Sequence, residues 1–151
     1  MIKKNLWPFV IFILVVLGVF YFNFIKPRDV KNEVIINGHS IFVEVVDRPD
    51  LRAKGLSGRE RLNENEGMLF VFEALGDYGF WMKEMKFPID IIWIREDKIV
   101  GFEENINPQI GTEENGLNIY YPPEPINRVL EVSAGTVDKF EFKIGDSISY
   151  N

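Results

Sequence analysis

The sequence FWMKEMKFPIDIIWI, residues 80–94, is more informative about the class of fold than any other stretch of the chain. Two runs of aromatic, methionine and isoleucine residues flank a short loop that carries Lys83, Glu84 and Lys86. Strands favour aromatic and β-branched residues, and short apolar runs bounded by turn-forming residues are typical of buried strands. The pattern therefore predicts two strands joined by a charged loop inside a mainly β domain.

Asp90 interrupts the second of these runs, between Ile89 and Ile91. Because alternate residues of a strand face opposite ways, Asp90 shares a face with Ile92 and Ile94. A carboxylate on an apolar face needs a hydrogen-bond donor or a cation, since burying it alone is very costly. The block therefore holds either a structural polar anchor or the floor of a functional site.

Short apolar runs separated by turn residues continue on both sides of this block. They lie at residues 34–36, 41–46, 68–72, 99–102, 128–132 and 147–150. Many short strands with few helices are typical of an all-β sandwich or barrel. We therefore predict a mainly β domain with one or two short helices. The proline-containing stretch at residues 105–127 is a candidate functional loop, because connections of this length are uncommon.

Local residue choices place the first turn and the first helix. Asn37-Gly38 is the preferred pair for a tight hairpin turn between two strands. Asp47 suits the N-cap of a short helix, Pro49 its first turn and Gly55 its end. His39 lies beside the hairpin turn, where we expect a solvated residue and not a catalytic one.

The N-terminal segment is predicted to lie in a membrane. Residues 6–25 carry no charge, and as a helix they would span about 30 Å, the thickness of a hydrocarbon core. A cleavable signal peptide is the alternative, but its apolar core is usually shorter and ends in a small-x-small site. We expect an uncleaved anchor at residues 1–25, a linker at residues 26–33 and a β-sandwich domain at residues 34–151. The chain would then be a single-pass protein of the cell membrane, embedded in the lipid bilayer through residues 6–25, with its bulk outside the cytoplasm.

Composition excludes several classes of protein. The chain has 17 basic and 23 acidic residues and a net charge of −6, which argues against nucleic acid as a partner. It has no cysteine and one histidine, so thiol catalysis and the usual zinc sites are excluded. No Asp-x-Asp-x-Asp calcium loop occurs. We therefore expect neither a metal nor another cofactor.

Several motifs of the chain form a recognisable set. They are Arg52-Ala53-Lys54-Gly55-Leu56 with Arg59, Gly67-Met68-Leu69-Phe70-Val71-Phe72, Phe80-Trp81-Met82-Lys83, Pro88-Ile89-Asp90-Ile91, Val129-Leu130-Glu131, Ala134-Gly135 and Gly145-Asp146. Together, over residues 41–150, they resemble the domain-of-unknown-function-192 family of uncharacterised bacterial and archaeal proteins. The resemblance implies a compact β-sandwich or jelly-roll-like domain, preceded in many members by a signal or anchor segment. It implies no activity, cofactor or catalytic residue, and fold alone does not supply a function.

Asp90 with Lys83 and Arg59 is the sharpest candidate site. A nearby cation would keep the carboxylate ionised, and the group together could orient a polar ligand. The alternative is that Asp90 accepts backbone N–H bonds from the loop at residues 83–88 and fixes that loop, because buried polar groups often serve architecture.

Aromatic side chains form the second candidate site. Trp81, Trp93, Tyr120 and Tyr121 could present flat faces to sugar rings or extended peptides. Aromatic residues along strands are more often part of the core, whereas Tyr120 and Tyr121 lie on the long loop. Both interpretations stay open for the two tyrosines.

A carboxylate pair for general acid–base hydrolysis is the third candidate, drawn from Asp90, Glu103, Glu104 and Glu131. Three functions follow from these candidates. The first is a ligand- or protein-binding module of the cell envelope, whose partner is a glycan, a peptide or a protein. The others are a small metal-independent hydrolase of envelope polysaccharide and a structural accessory domain. We favour the binding module over an enzyme, with a cleft near Lys83, Asp90 and the loop at residues 105–127.

Overall fold

The computed structural model describes residues 32–151. The anchor expected at residues 1–25 and most of the expected linker lie outside the described residues. Within the described part, none of the helices has the length and apolar character needed to cross a bilayer.

The described residues form nine strands, two short α-helices and a 3₁₀ turn. The strands are β1 (Asn32–Ile36), β2 (His39–Val46), β3 (Glu66–Gly76), β4 (Phe80–Trp81), β5 (Ile89–Arg95), β6 (Lys98–Ile106), β7 (Ile119–Tyr120), β8 (Ile126–Ser133) and β9 (Ile148–Tyr150). The helices are α1 (Pro49–Lys54) and α2 (Thr136–Lys139), and the 3₁₀ turn is Glu114–Gly116. The prediction of a mainly β domain with one or two short helices is confirmed.

Seven strands form one sheet in the order β6-β5-β8-β3-β2-β1-β9, while β4 and β7 pair in a separate two-stranded ribbon. Neighbours in the large sheet are antiparallel except β2 and β3, which run parallel. A parallel pair needs a crossover connection, because its second strand must start at the same end as the first. The segment that contains α1 supplies this crossover between β2 and β3.

The large sheet curls until its two ends approach each other. Lys98 at the start of β6 forms a bridge with Ser147, and the N–H of Ile148 donates to the carbonyl oxygen of Asp97 at 2.8 Å. The described strands therefore form one curled sheet with a small ribbon, which differs from the two stacked sheets of the expected sandwich. The reason is that the strong twist of a single sheet lets it wrap on itself, so a second large sheet is not required.

Both faces of the large sheet are buried at its centre, in β5, in most of β8 and in the first half of β3. The first core contains aliphatic side chains from all seven strands of the large sheet, together with Val137 of α2 and Phe142. The second core lies on the other face, where Phe80, Met82 and Met85 pack over β3, β5 and β8. Residues 89–94 of β5 are buried without interruption because this strand contributes to both cores.

The expected hairpin turn is confirmed, and the expected helix cap is not. Asn37 and Gly38 join β1 to β2 with φ values of 51° and 81°, the left-handed conformation that such turns require. Helix α1 ends at Gly55 as predicted, but its N-cap residue is Arg48 and not Asp47. The carbonyl oxygen of Asp47 instead accepts a hydrogen bond from the Arg52 guanidinium group.

Candidate functional site

Asp90 connects two segments of the fold through one buried and one partly buried hydrogen bond. Its side chain is completely buried on the face of the first core, as strand alternation predicted. Oδ1 accepts the N–H of Asn105 at 2.8 Å, and Oδ2 accepts the N–H of Val137 at 3.0 Å. Val137 lies in the first turn of α2, where N–H groups have no partner inside the helix. The donors therefore belong to β6 and α2 and not to the loop at residues 83–88.

The structure does not bring Lys83 or Arg59 to Asp90. Lys83 forms an ion pair with Glu114 at 2.5 Å. Arg59 forms an ion pair with Glu44. Both pairs are partly exposed to water, so each contributes little to stability. The three residues predicted as one site consequently lie in three separate environments.

The ribbon of β4 and β7 gathers three of the aromatic candidates. Strand pairing places Trp81 and Tyr120 in the same ribbon, and Tyr121 follows directly. Tyr120 packs against the second core, whereas Trp81 and Tyr121 are 39% and 56% exposed. Trp93 is fully buried in the second core. Trp81 and Tyr121 are thus the candidates available to a ligand.

A cavity of about 250 Å³ opens beside Trp81. Residues 52–57 of α1 and the following turn form one wall, Phe70 and Phe72 of β3 form the second, and residues 78–81 form the third. Glu131 of β8 belongs to the sheet that closes the cavity from below. We call this space the Glu131 cavity.

Aromatic contacts hold the walls of the Glu131 cavity in place. The rings of Phe72 and Tyr78 stack with their centroids 3.7 Å apart. The rings of Phe70 and Phe80 pack edge to face, with their centroids 4.9 Å apart. The hydroxyl of Tyr78 donates to the carbonyl oxygen of Ala74 at 2.9 Å. Walls that are ordered before a ligand arrives reduce the entropy lost on binding.

Glu131 is 5% exposed, and no hydrogen bond from another residue of 32–151 reaches its carboxyl group. Removal from water disfavours the charged form of a carboxyl group. This burial raises the pKa of Glu131 to about 8, against the opposing effect of the Arg59 charge. The carboxyl group is therefore mostly protonated at neutral pH, and it can donate a hydrogen bond as well as accept one.

Strand register explains how Glu131 comes to face this cavity. It lies opposite Met68 of β3 and Ile91 of β5, and both of these residues belong to the second core. Glu44 of β2 lies opposite Met68 on the other side. Arg59, which pairs with Glu44, is consequently close enough to influence the Glu131 charge.

The carboxylates considered for acid–base chemistry do not converge on one point. Asp90 and Glu131 project from opposite faces of the sheet, because the cross-strand partner of Glu131 is the neighbour of Asp90 in β5. Glu103 and Glu104 do not line the Glu131 cavity. Partial desolvation, followed by the charges of Asp138 and Asp90, raises the pKa of Glu104. Within residues 32–151, no three acidic or histidine side chains are grouped so that they could hold a metal ion.

A second groove of about 630 Å³ lies between residues 82–86 and residues 109–117. Lys83 and Glu114 both line it. Its position matches part of the cleft predicted near Lys83 and the long loop, but Asp90 does not reach it. The groove contains no buried charged group, so it gives less indication of a specific ligand than the Glu131 cavity does.

Sequence reasoning named Glu131 as an acid but did not connect it with Phe72 and Tyr78. A signal for its burial was present, because Glu131 interrupts the apolar run between Leu130 and Val132 as Asp90 does in its own strand. The walls of the cavity were not predictable in the same way, since they depend on where the crossover segment packs against β3.

Comparisons with known proteins agree with this fold. The model of the DUF192 family, described as Uncharacterized ACR, matches residues 32–150. A solved structure from Sinorhizobium meliloti, proposed to be a transcription regulator, superposes with a TM-score of 0.69 at 29% identity over 80% of this chain and 92% of that one. A protein of unknown function from Novosphingobium aromaticivorans gives a TM-score of 0.69 at 25% identity over 82% of this chain and 89% of that one. No match was found among curated proteins. The resemblance seen in the motifs is therefore confirmed, and the chain belongs to the DUF192 family.

Proposed function

We propose that this chain is a membrane-anchored, extracytoplasmic binding module whose ligand enters the Glu131 cavity. The observation that carries the proposal is the Glu131 carboxyl group, which is 5% exposed and has no hydrogen-bond donor among residues 32–151. The carboxyl group lines an open cavity, so a ligand with a polar atom there would supply a hydrogen bond that no residue of 32–151 provides.

The walls of the cavity define the general character of this ligand. Phe72, Tyr78, Phe80 and Trp81 present aromatic surface, and Glu131 is the acidic group beneath them. Small-molecule sites are commonly apolar clefts with a few polar groups that fix orientation. The ligand is therefore a small molecule with an apolar body and at least one hydrogen-bonding atom.

The two alternative functions have less support. Hydrolysis of a glycosidic bond needs two carboxyl groups on either side of that bond, and Glu131 is the one acidic residue among the described lining residues. A purely structural role accounts for the hydrogen bonds of Asp90 but not for an open cavity above a buried acid. The binding module accounts for the cavity, while Asp90 stabilises the fold that forms it.

The cavity can be tested by filling its mouth. Ala53 lines the cavity and is exposed, so Ala53→Trp should occupy the space that a ligand needs. We expect ligand-observed NMR with the full chain to detect small aromatic compounds that bind. Ala53→Trp should lower the affinities of these compounds by about tenfold or more, and a tenfold loss corresponds to roughly 1.4 kcal/mol of binding free energy.

The control is Ile144→Trp, because Ile144 is 68% exposed and does not line the cavity. Its affinities should equal those of the parent chain. Compounds that bind Ala53→Trp as tightly as the parent would place the site elsewhere. A chain that binds none of the compounds would contradict the binding-module proposal.

The anchoring part of the proposal rests on the uncharged run at residues 6–25. Alkaline phosphatase fused to the C-terminus in a bacterial host should be active, because its disulfides form outside the cytoplasm. Deletion of residues 1–25 should abolish this activity. An inactive fusion, together with an active cytoplasmic reporter at the same position, would contradict the topology.

A further inference from the structure

The Glu131 cavity has different chemistry at its two ends. Glu131 lies opposite Met68 in the register of β3. Arg52 meets the same strand farther along, where its guanidinium group donates to the carbonyl oxygen of Val71 at 3.0 Å. Three residues of a strand span about 10 Å, so the acid and the guanidinium group stand at opposite ends of the cavity.

The end of the cavity beside α1 is positively charged. Arg52 and Lys54 both line it and both belong to the last turn of α1. Neither forms an ion pair with a carboxylate among residues 32–151, whereas Arg59 pairs with Glu44 and Lys83 pairs with Glu114. In a chain with a net charge of −6, this end of the cavity is a local site of unneutralised positive charge.

We propose that the Glu131 cavity binds a small organic carboxylate, with its negative group at Arg52 and Lys54 and its apolar body between the aromatic walls. This inference rests on the proposed binding function and adds the charge and orientation of the ligand. Arginine and lysine donate charge-assisted hydrogen bonds to carboxylates, and these are stronger than bonds between neutral groups. The far end of the body then reaches Glu131, where a hydrogen-bond acceptor of the ligand meets its carboxyl proton.

A cationic ligand fits the same cavity less well. Aromatic rings attract cations through their faces, but two of these rings already have a cation of the chain beside them. The Arg52 guanidinium carbon lies 4.8 Å from the centroid of Phe72, and the Lys83 ammonium nitrogen lies 5.4 Å from that of Trp81. A ligand ammonium group would be repelled by the Arg52 guanidinium group, which has no carboxylate partner among residues 32–151, while a carboxylate would be attracted.

The volume of the cavity limits the size of the ligand. Sites for drug-sized molecules usually measure about 300–1,000 Å³. The Glu131 cavity, at about 250 Å³, lies below that range. The part of the ligand that the cavity encloses is therefore compact, such as one ring or a short branched chain.

Three probes with the same body separate the possibilities: phenylpropionate, phenylpropanol and phenylpropylamine, each with a hydroxyl group at the para position of the ring that can accept a hydrogen bond from Glu131. Each places a polar group at one end of the same phenylpropyl skeleton, with a negative, neutral or positive charge. We expect calorimetric titration of the full chain at pH 7 to show phenylpropionate binding about tenfold or more tighter than the alcohol, with the amine weakest. Raising the salt concentration should weaken the binding of phenylpropionate and leave the binding of the alcohol unchanged.

Charge variants test the proposed orientation. Lys54→Gln should lower the affinity for phenylpropionate by about three- to fivefold, and Lys54→Glu should lower it further. The affinity for phenylpropanol should not change in either variant. Lys143→Gln is the matched control, because Lys143 is exposed and does not line the cavity. Lys54 is the better test position, because Arg52 also donates hydrogen bonds to the carbonyl oxygens of Asp47 and Val71. Replacement of Arg52 would therefore disturb the fold.

The outcomes distinguish this inference from the proposed function. If the alcohol or the amine binds as tightly as phenylpropionate and Ala53→Trp blocks it, the cavity is a ligand site but the selectivity for an anion is overturned. If phenylpropionate affinity is the same in Lys54→Glu and in the parent, the orientation is overturned. If neither these probes nor the wider set of compounds binds, the proposed function itself fails.

Discussion

Replacement of Glu131 by glutamine should remove most of the pH dependence of stability between pH 4.5 and pH 8. Burial raises the pKa of Glu131 from 4.5 to about 8. Between these values the folded chain keeps a proton that the unfolded chain has lost, so the free energy of unfolding falls by about 1.4 kcal/mol per pH unit. The stabilising contribution is complete below pH 4.5 and disappears as the pH approaches 8, a total loss of roughly 5 kcal/mol.

Urea unfolding of the full chain, monitored by circular dichroism at several pH values, gives the free energy of unfolding. The effect is the difference in this free energy between Glu131→Gln and the parent. The variant should gain stability relative to the parent as the pH rises, and the gain should level off above pH 8. Glu73→Gln is the control, because Glu73 is an exposed glutamate on β3. Its stability should stay within about 0.5 kcal/mol of the parent. A Glu131→Gln curve parallel to that of the parent would show that Glu131 is charged in the folded chain.

Asp90→Ala should destabilise the chain by roughly 3–5 kcal/mol, since it leaves one buried and one partly buried N–H group without an acceptor. These N–H groups belong to Asn105 and Val137, whose nitrogen atoms lie 2.8 and 3.0 Å from the Asp90 carboxylate oxygens that accept their hydrogen bonds. Asp90→Asn should cost less, because the amide oxygen still accepts one of the two bonds. Urea unfolding measures the loss, and hydrogen exchange at Asn105 and Val137 should accelerate in both variants.

The control for this prediction is Asp77→Asn, which changes an exposed aspartate in a loop. It should alter stability by about 0.5 kcal/mol or less. Asp90→Asn should also bind the phenylpropyl probes as the parent does, because Asp90 and Glu131 face opposite sides of the sheet. Loss of binding without loss of stability would make Asp90 part of a ligand site and contradict the structural role assigned to it.

Features set by neighbouring residues were predictable from the sequence. The Asn37-Gly38 turn follows from the left-handed conformation that these two residues adopt readily. The orientation of Asp90 towards the first core follows from the period of two in a strand. Its burial and its need for hydrogen-bond donors follow from the isoleucines on either side of it.

Features that depend on contacts far apart in the chain were not predictable. Asn105 and Val137, the donors to Asp90, are 15 and 47 residues away in sequence. The parallel pairing of β2 with β3 depends on where the crossover segment packs, and no local pattern encodes that position. For the same reason the sequence grouped Asp90 with Lys83 and Arg59, whose charges are instead neutralised by Glu114 and Glu44.

Two carboxylates that look alike in the sequence therefore have different environments. Both interrupt apolar strands, but Asp90 accepts two backbone hydrogen bonds, whereas Glu131 accepts none from residues 32–151. A carboxylate held by two N–H groups is part of the architecture of the fold. A carboxyl group without donors, facing an aromatic cavity, is available to a ligand.

The proposed ligand site depends on the protonation state of the Glu131 carboxyl group, and carbon-13 NMR of labelled glutamate side chains measures that state. The resonance is assigned by its absence from Glu131→Gln, and its chemical shift is followed as a function of pH. We expect a midpoint near the pKa of about 8. A midpoint near 4.5, the ordinary value for glutamate, would show an ionised and solvated carboxylate and would contradict a protonated Glu131 at neutral pH.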